Sequence, residues 1–369
     1  MRRLTKAIDD PRDEVRSRST GLSVTRYLDP AELAQERETI FRKRPLVIAH
    51  ASELEAPGDF VTARMGEVPI LVTRAQDGVV RAFVNACRHR GARLVDAERG
   101  CKKLLTCPYH AWTYKTDGSL FRIPHEEAFD TLDHDSLALA PLATEVRHGF
   151  VWVQLEGEID VSEFLGSTLD DDFEAFGLAD HRMLAQTTRT TPANWKLVMD
   201  AFAEGYHLES LHSESLARFF LPLAVLDDCH PHIRQMGARK SLLEVKSDES
   251  RWDVRRHTTV FYDLFPNTVL VFHPHWLSAL TMVPLAVDGV SVTHRMLAPD
   301  IEYDDGTKEK LDKSFRHIDE QVFEKEDLHI AASIQSTLAS GANTRVLLGG
   351  LEEGMRLFHA ARDRALAEG

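Results

Sequence analysis

The chain has 369 residues, of which 43% are hydrophobic and 28% charged, and a formal net charge of −14 at pH 7. That length is enough for about two domains with sizeable cores, and the acidic balance argues against a nucleic-acid binder. The sequence has no apolar run of about 18 residues, and Met1-Arg2-Arg3-Leu4-Thr5-Lys6 has no apolar core, so neither a membrane span nor a signal peptide is expected.

Residues 1–25 are charged and read as a segment that is mobile or draped on a neighbour. Asp29-Pro30 serves as N-cap and first helical position of a helix reaching about Arg42. From Pro45 the pattern turns to strands. Ile70–Thr73 and Val79–Val84 flank the hairpin signal Asp77-Gly78, and Trp112-Thr113-Tyr114 precedes a second turn at Asp117-Gly118. A segment 1–37 followed by a small β domain over 38–150 is the expected division.

Two short loops of that domain carry metal-ligating residues. They are Cys87-Arg88-His89-Arg90-Gly91 and Cys107-Pro108-Tyr109-His110, with 17 residues between His89 and Cys107. Each loop offers one thiolate and one imidazole. Such a set could close a tetrahedral zinc site, but zinc fingers usually pair Cys with Cys and His with His along the chain. The mixed order fits a [2Fe–2S] cluster with two cysteines on one iron and two histidines on the other. Arg88, Arg90, Arg93, Lys102 and Lys103 surround the loops. They read as a docking patch for an acidic electron carrier or as ordinary loop solvation. Cys101 and Cys229 are left as free thiols of a reducing cytoplasm.

The second domain is expected over 151–369. Val151–Leu155 is strand-like, residues 160–180 carry a short helix, and Thr191-Pro192 leads into a helix over Asn194–His212. Asp200, Glu204 and His207 fall at i, i+4 and i+7, on one helix face. An acidic pair there costs repulsion unless a cation or a function offsets it. His212 lies five residues beyond His207, so both can reach one metal only if the helix ends or loosens, with Gly205 and Ser210 as candidate places. The bland alternative is an amphipathic core helix with two incidental histidines among 18.

Thr258–Val271 and Ala279–Met296 read as strands of a larger antiparallel sheet, with a turn at Asp288-Gly289. A helix over Gln321–Ser340 carries an inward stripe of Phe323, Asp327, Ile330, Ala331, Ile334 and Leu338. Asp327 is its only charge, costly to bury without a cation, unless it merely faces a helix N-terminus. Glu324 and Glu326 read as solvent-facing. Glu352–Ala367 is an amphipathic helix. The fold class is α+β: a small all-β domain, then a catalytic domain whose antiparallel sheet is covered by helices.

These motifs carry a resemblance. Cys87-x-His89-Arg90-Gly91, Cys107-Pro108-Tyr109-His110-Ala111-Trp112, and Asn194-Trp195-Lys196 leading to Glu204-Gly205-Tyr206-His207 and His212 make the chain similar to the catalytic α subunit of Rieske non-heme iron oxygenases. These are the aromatic-ring-hydroxylating dioxygenases and related monooxygenases, and the similarity runs from about Tyr27 to the C-terminal helix. It implies a Rieske cluster on Cys87, His89, Cys107 and His110. It also implies a mononuclear Fe(II) on His207, His212 and Asp327, a facial triad that leaves room for O2. Electrons would come from NAD(P)H through a reductase, sometimes with a ferredoxin.

In the family an acidic residue at the position of Glu204, usually Asp, links a cluster histidine of one subunit to an iron histidine of the next. The resemblance therefore implies a homotrimer, with His110 and His207 as the linked pair. Asp200 stands where dioxygenases often have Asn near the iron, and is either a contact to that site or an ordinary helix acid. The implied reaction is mono- or dioxygenation, or demethylation, of a small organic compound, in the first instance aromatic. A quaternary-ammonium compound is the alternative. Phe202, Leu208, Phe219, Phe220, Leu223, His232, Phe272, His273 and Trp276 are candidates for the cavity wall or for plain core. Two further readings are a pure electron-transfer Rieske protein and a zinc-binding interaction module.

Overall fold

The structure is a computed structural model and describes residues 1–10 and 19–368. The chain forms two units, one of residues 41–182 and one of 1–40 together with 183–369.

In the first unit, Val68–Arg74 and Val80–Val84 pair as the expected hairpin, with Ile70 opposite Val84. The turn between them works for local reasons. Gly78 takes φ +80°, and Asp77 accepts a hydrogen bond from the Val79 N–H at 3.0 Å. These strands sit in a seven-stranded antiparallel sheet. Its spatial order is 46–50, 150–154, 141–147, 80–84, 68–74, 59–65 and 99–101. Beside it lies a three-stranded sheet of Leu104–Thr106, Thr113–Lys115 and Leu120–Arg122. A core of Phe60, Leu71, Phe83, Leu105, Trp112 and Tyr114 includes the buried Cys87 and Cys107.

The strand Phe150–Gln154 pairs with both Pro141–Arg147 and Leu46–His50, and so belongs to this sheet. The unit therefore extends beyond residue 150, through the helix Val161–Ala175 to Arg182. That helix has 15 residues, longer than the short one expected, and is kinked at Gly166 with φ +68°.

The second unit is built on another seven-stranded sheet, in the order 181–191, 289–299, 277–286, 268–272, 258–264, 232–239 and 220–229. The expected strand over 258–271 is two strands, because Phe265-Pro266-Asn267 turns the chain between them. The hairpin around Asp288-Gly289 is present.

The N-terminal residues belong to this unit rather than to a neighbour. Arg2–Asp9 is a helix whose Leu4 and Ala7 are buried against Val225, Ala238 and Leu242. The rest of the charged start, residues 11–18, lies outside the described residues.

Asp29 caps the helix Pro30–Glu36, which ends in a π-helical turn, Arg37–Phe41. Glu36 is fully buried and gathers three partners: Lys196 Nζ at 2.8 Å, Arg362 Nε at 2.6 Å and Trp195 Nε1 at 2.9 Å. A buried carboxylate is tolerable only when paired in this way. The network ties the helix Pro30–Glu36, the helix Trp195–Phe202 and the C-terminal helix Glu353–Glu368 together. Among the described residues, no helix is long and apolar enough to cross a membrane.

Candidate functional site

Asn194 caps the helix Trp195–Phe202, accepting from the Lys196 N–H at 3.0 Å. The helix stops at Phe202, so Asp200, Glu204 and His207 do not share one helical face. The chain loosens across Ala203–Tyr206, before His207 rather than between the two histidines. A single helical turn, Leu208–Leu211, then carries His207 at its N-cap and His212 at its C-cap. That turn brings the two imidazole rings to 5.0 Å between centroids.

The third group comes from a long helical run. It starts as the α-helix Asp305–Arg316, widens to a π-helix over His317–Leu328, and returns to α-helix over His329–Leu338. Asp327 lies inside this run, not at a helix start. The widened turns change which residues face inward. Asp327, Leu328, Ala331, Gln335 and Leu338 are buried, whereas Ile330 and Ile334, expected in the stripe, are 37% and 38% exposed.

Ligand atoms of His207, His212 and Asp327 all lie within 4.8 Å of one another. Asp327 Oδ1 is 3.2 Å from His212 Nε2 and 3.9 Å from His207 Nε2. It is buried and has no hydrogen bond of proper geometry. A buried carboxylate oxygen facing two ring nitrogens without such a bond is the donor arrangement a divalent cation requires.

The other ring nitrogens are already occupied. His207 Nδ1 donates to Glu204 Oε1 at 2.5 Å, and His212 Nδ1 to Glu326 Oε2 at 2.7 Å. Those bonds leave both Nε2 lone pairs pointing at the shared centre. Burial disfavours charging His212, yet Asp327 and Glu326 outweigh it and raise its pKa. Glu326 is therefore not solvent-facing; it also accepts from Ser215 Oγ at 2.7 Å. Glu324 is half-exposed and pairs with Arg189.

Asp200 is drawn elsewhere. Its carboxylate is bonded to Tyr27 Oη at 2.7 Å and lies 3.0 Å from His359 Nε2, and it does not line the cavity. The structure thus gives it an anchoring place and none beside the triad.

The triad opens on a cavity of about 1380 Å³. Of the wall residues expected from sequence, all line it except His232 and Phe272. His232 accepts from the Phe265 N–H at 3.0 Å, and Phe272 packs edge-on to Tyr262 inside the core. Burial pushes His273 down to about 3, so its ring is neutral. Its Nε2 is 2.9 Å from Ser278 Oγ, which is 2.9 Å from His294 Nε2. His294 Nδ1 donates to Asp319 at 2.9 Å, and this chain holds His273 in place.

In the 41–182 unit, Cys87, His89, Cys107 and His110 are brought together by two loops with matching backbone bonds. The Gly91 N–H donates to the Cys87 carbonyl at 2.9 Å, as Ala111 N–H does to Cys107 at 3.0 Å. Cys87 N–H donates to Ala92, as Cys107 N–H does to Trp112, both at 2.8 Å. Gly91 and Ala111 occupy equivalent positions with φ of +75° and +56°. The sequence does not show this repeat, because the histidine falls two residues after the first cysteine but three after the second.

The His89 and His110 rings are 4.8 Å apart, and His89 stacks on Trp112. Burial pushes the Cys87 thiol up, with Cys107 adding to the rise while the Tyr114 hydroxyl and a backbone N–H oppose it. Burial, His110 and Arg90 keep His89 below its ordinary value and therefore neutral. Two neighbouring thiols and two adjacent imidazoles fit a cluster with mixed ligands. The Tyr114 hydroxyl, 3.4 Å from Cys87 Sγ, was not singled out from sequence. Nor were Glu326 and Ser215 beside His212.

A family model described as "Ring hydroxylating alpha subunit (catalytic domain)" matches residues 178–368, and one described as "Rieske [2Fe-2S] domain" matches 44–139. The chain is 35% identical over 188 residues to the carnitine monooxygenase oxygenase subunit of Acinetobacter baumannii, covering 50% of this chain and 51% of that protein. It is 35% identical over 195 residues to the biphenyl 2,3-dioxygenase subunit alpha of Rhodococcus jostii, covering 49% and 41%. The chain thus spans about half the length of the curated relatives it matches. Its fold superposes on a quaternary ammonium Rieske monooxygenase crystallised with an inhibitor, with a TM-score of 0.81, 25% identity and 96% of both chains covered.

Proposed function

Because the chain belongs to the ring-hydroxylating α-subunit family and carries a Rieske domain, we propose that it is the oxygenase component of a Rieske non-heme iron mono- or dioxygenase. One observation carries this reading: His207, His212 and Asp327 converge on the wall of a large cavity with a buried carboxylate oxygen that lacks a hydrogen bond. A ferrous ion held there supplies a site for O2, and a [2Fe–2S] cluster on Cys87, His89, Cys107 and His110 supplies single electrons.

The chain's own residues then have defined tasks. Glu204 and Glu326 accept hydrogen bonds from the Nδ1–H groups of His207 and His212, fixing the tautomer in which Nε2 binds metal. Asp327 supplies the negative charge that balances a divalent cation in a buried place. Phe202, Phe219, Phe220, Trp276 and Phe323 give the cavity apolar walls that hold a small organic substrate and exclude water. Such walls suit an aromatic ring, and equally a trimethylammonium group held over ring faces. Relatives of both names match, so both substrate classes belong to the proposal.

The reading includes a reductase, with or without a ferredoxin, as electron donor, and a reducing cytoplasm in which Cys87 and Cys107 can take up a cluster. It also includes a homotrimer. Glu204 is bonded to His207 and His110 is exposed on its loop, which supports a link from one copy to the next.

The test is spectroscopic. The purified protein is reduced without air, given nitric oxide in place of O2, and examined by EPR with aromatic acids, neutral arenes and trimethylammonium compounds. An iron–nitrosyl signal that one compound class perturbs is expected. Metal-replete protein that gives no such signal would refute the assignment. Colourless protein holding zinc would support an interaction module instead.

A further inference from the structure

Five arginines line the cavity: Arg3, Arg218, Arg239, Arg255 and Arg356. Arg3 is paired with Asp227 at 2.7 Å and Arg356 with Glu353 at 2.8 Å. Arg218 is exposed and solvated. The other two are partly buried and differ in kind.

Arg239 ends the strand His232–Arg239, opposite Phe220 on the neighbouring strand. Its guanidinium lies over the Phe220 ring, 5.1 Å from the centroid, and makes one hydrogen bond, to Thr259 Oγ1 at 3.0 Å. Among the described residues it has no carboxylate partner. Arg255 donates to the carbonyls of His273 and Trp276, again neutral acceptors, at 2.9 Å each. Burial lowers the pKa of both, and for Arg239 no anionic group opposes that fall. Both guanidiniums also act on His273, so they share its end of the cavity.

Elsewhere in this unit several of the cations removed from water meet carboxylates. Lys196 and Arg362 meet Glu36, and Arg189 meets Asp319. A guanidinium taken from water without a counter-charge is destabilising, and the fold has left this one facing open space. Its flat fork of donors matches a carboxylate.

We propose that the substrate of this site carries a carboxylate, held by Arg239 with Arg255 in support, at the end of the cavity walled by His273. This rests on the oxygenase reading and narrows it. Arg239 then selects organic acids, aromatic or zwitterionic, over compounds of the same shape that lack the carboxylate. Glu204 and Asp327 line the same cavity and would repel that carboxylate, so the acid group points away from the triad and the apolar or cationic part points toward it.

The experiment is an anaerobic calorimetric titration of the whole protein with two matched pairs, benzoate against benzamide and glycine betaine against choline. In at least one pair the carboxylate is expected to bind about tenfold or more tightly than the partner that lacks it, and Arg239→Gln to bring the two within about twofold. Three results would overturn the proposal: neither carboxylate binds, the partners without a carboxylate bind as well, or the preference survives in Arg239→Gln. Should Arg239→Gln lose the cluster spectrum, Arg239→Lys decides. A drop in preference of about threefold or more is then expected, because an ammonium cannot form the paired bonds, and an unchanged preference overturns the idea. Binding is read without turnover. Failure of the oxygenase reading would appear separately, as missing cluster colour or missing mononuclear iron in the same preparation.

Discussion

In the 41–182 unit, the four candidate ligands come from two loops whose cysteines are 20 residues apart in sequence, each braced by its own backbone hydrogen bonds. In the other unit, three candidate ligands come from segments more than a hundred residues apart. They are oriented by side chains: Glu204 for His207, and Glu326 with Ser215 for His212. The first site is a local object that a rigid sheet presents. The second exists only once a helix break, a one-turn helix and a π-helical stretch have been packed together. Chemistry at the second site should therefore respond to distant positions, and chemistry at the first mainly to its loops.

The largest expected effect separates the two sites outright. Asp327→Ala removes the carboxylate of the triad, so iron content should fall from about three to about two per chain while the cluster's visible spectrum persists. Loss of both together would mean that the sites are not independent. Glu326→Gln asks whether orientation by a side chain matters as argued. It keeps the shape but gives up the charge facing His212, and mononuclear iron affinity should weaken about 10- to 100-fold. Unchanged affinity would reduce Glu326 to a bystander.

A third prediction concerns pH. Asp263 lies in the strand Thr258–Leu264, its only side-chain partner among the described residues Gln235 at 2.9 Å, and burial pushes it from 3.8 up to about 8. Between those values the folded protein keeps the proton that the unfolded chain releases. This group's stabilisation is therefore complete below about pH 4 and is lost as pH rises toward 8. Asp263→Asn should remove that decline, leaving stability similar near pH 4 and raising it by about 1–3 kcal/mol near pH 8, as followed by melting temperature.

The smallest effect tests the matched loops. Gly91 adopts φ +75°, and an added Cβ would meet nothing within 4 Å. Gly91→Ala should then cost only the backbone strain that Ala111 already bears at φ +56°, about 1 kcal/mol, with the cluster retained. Loss of the cluster would show that the first loop is less tolerant than the second.

The same contrast explains how much could be read beforehand. Cys87, His89, Cys107 and His110 were legible because ligands in short loops leave their spacing in the chain. The Asp77-Gly78 and Asp117-Gly118 turns were legible because glycine answers a local backbone demand, at φ of +80° and +88°. Asp327 stood out as a lone charge on an apolar stripe, although the stripe was misjudged at Ile330 and Ile334. A π-helix changes the angular step per residue, and nothing in residue type announces it.

Residue types and spacings thus marked candidate metal ligands, which the family resemblance assigned to two sites, and determined where turns fall and that the chain is α+β. Tertiary structure decided what required distant segments to meet. It turned Glu326 inward to His212, drew Asp200 away to Tyr27 and His359, and left Arg239 facing a cavity without a counter-ion. The physical reason is that a buried charge is settled by its partners, and partners far apart in sequence are known only when the chain has folded.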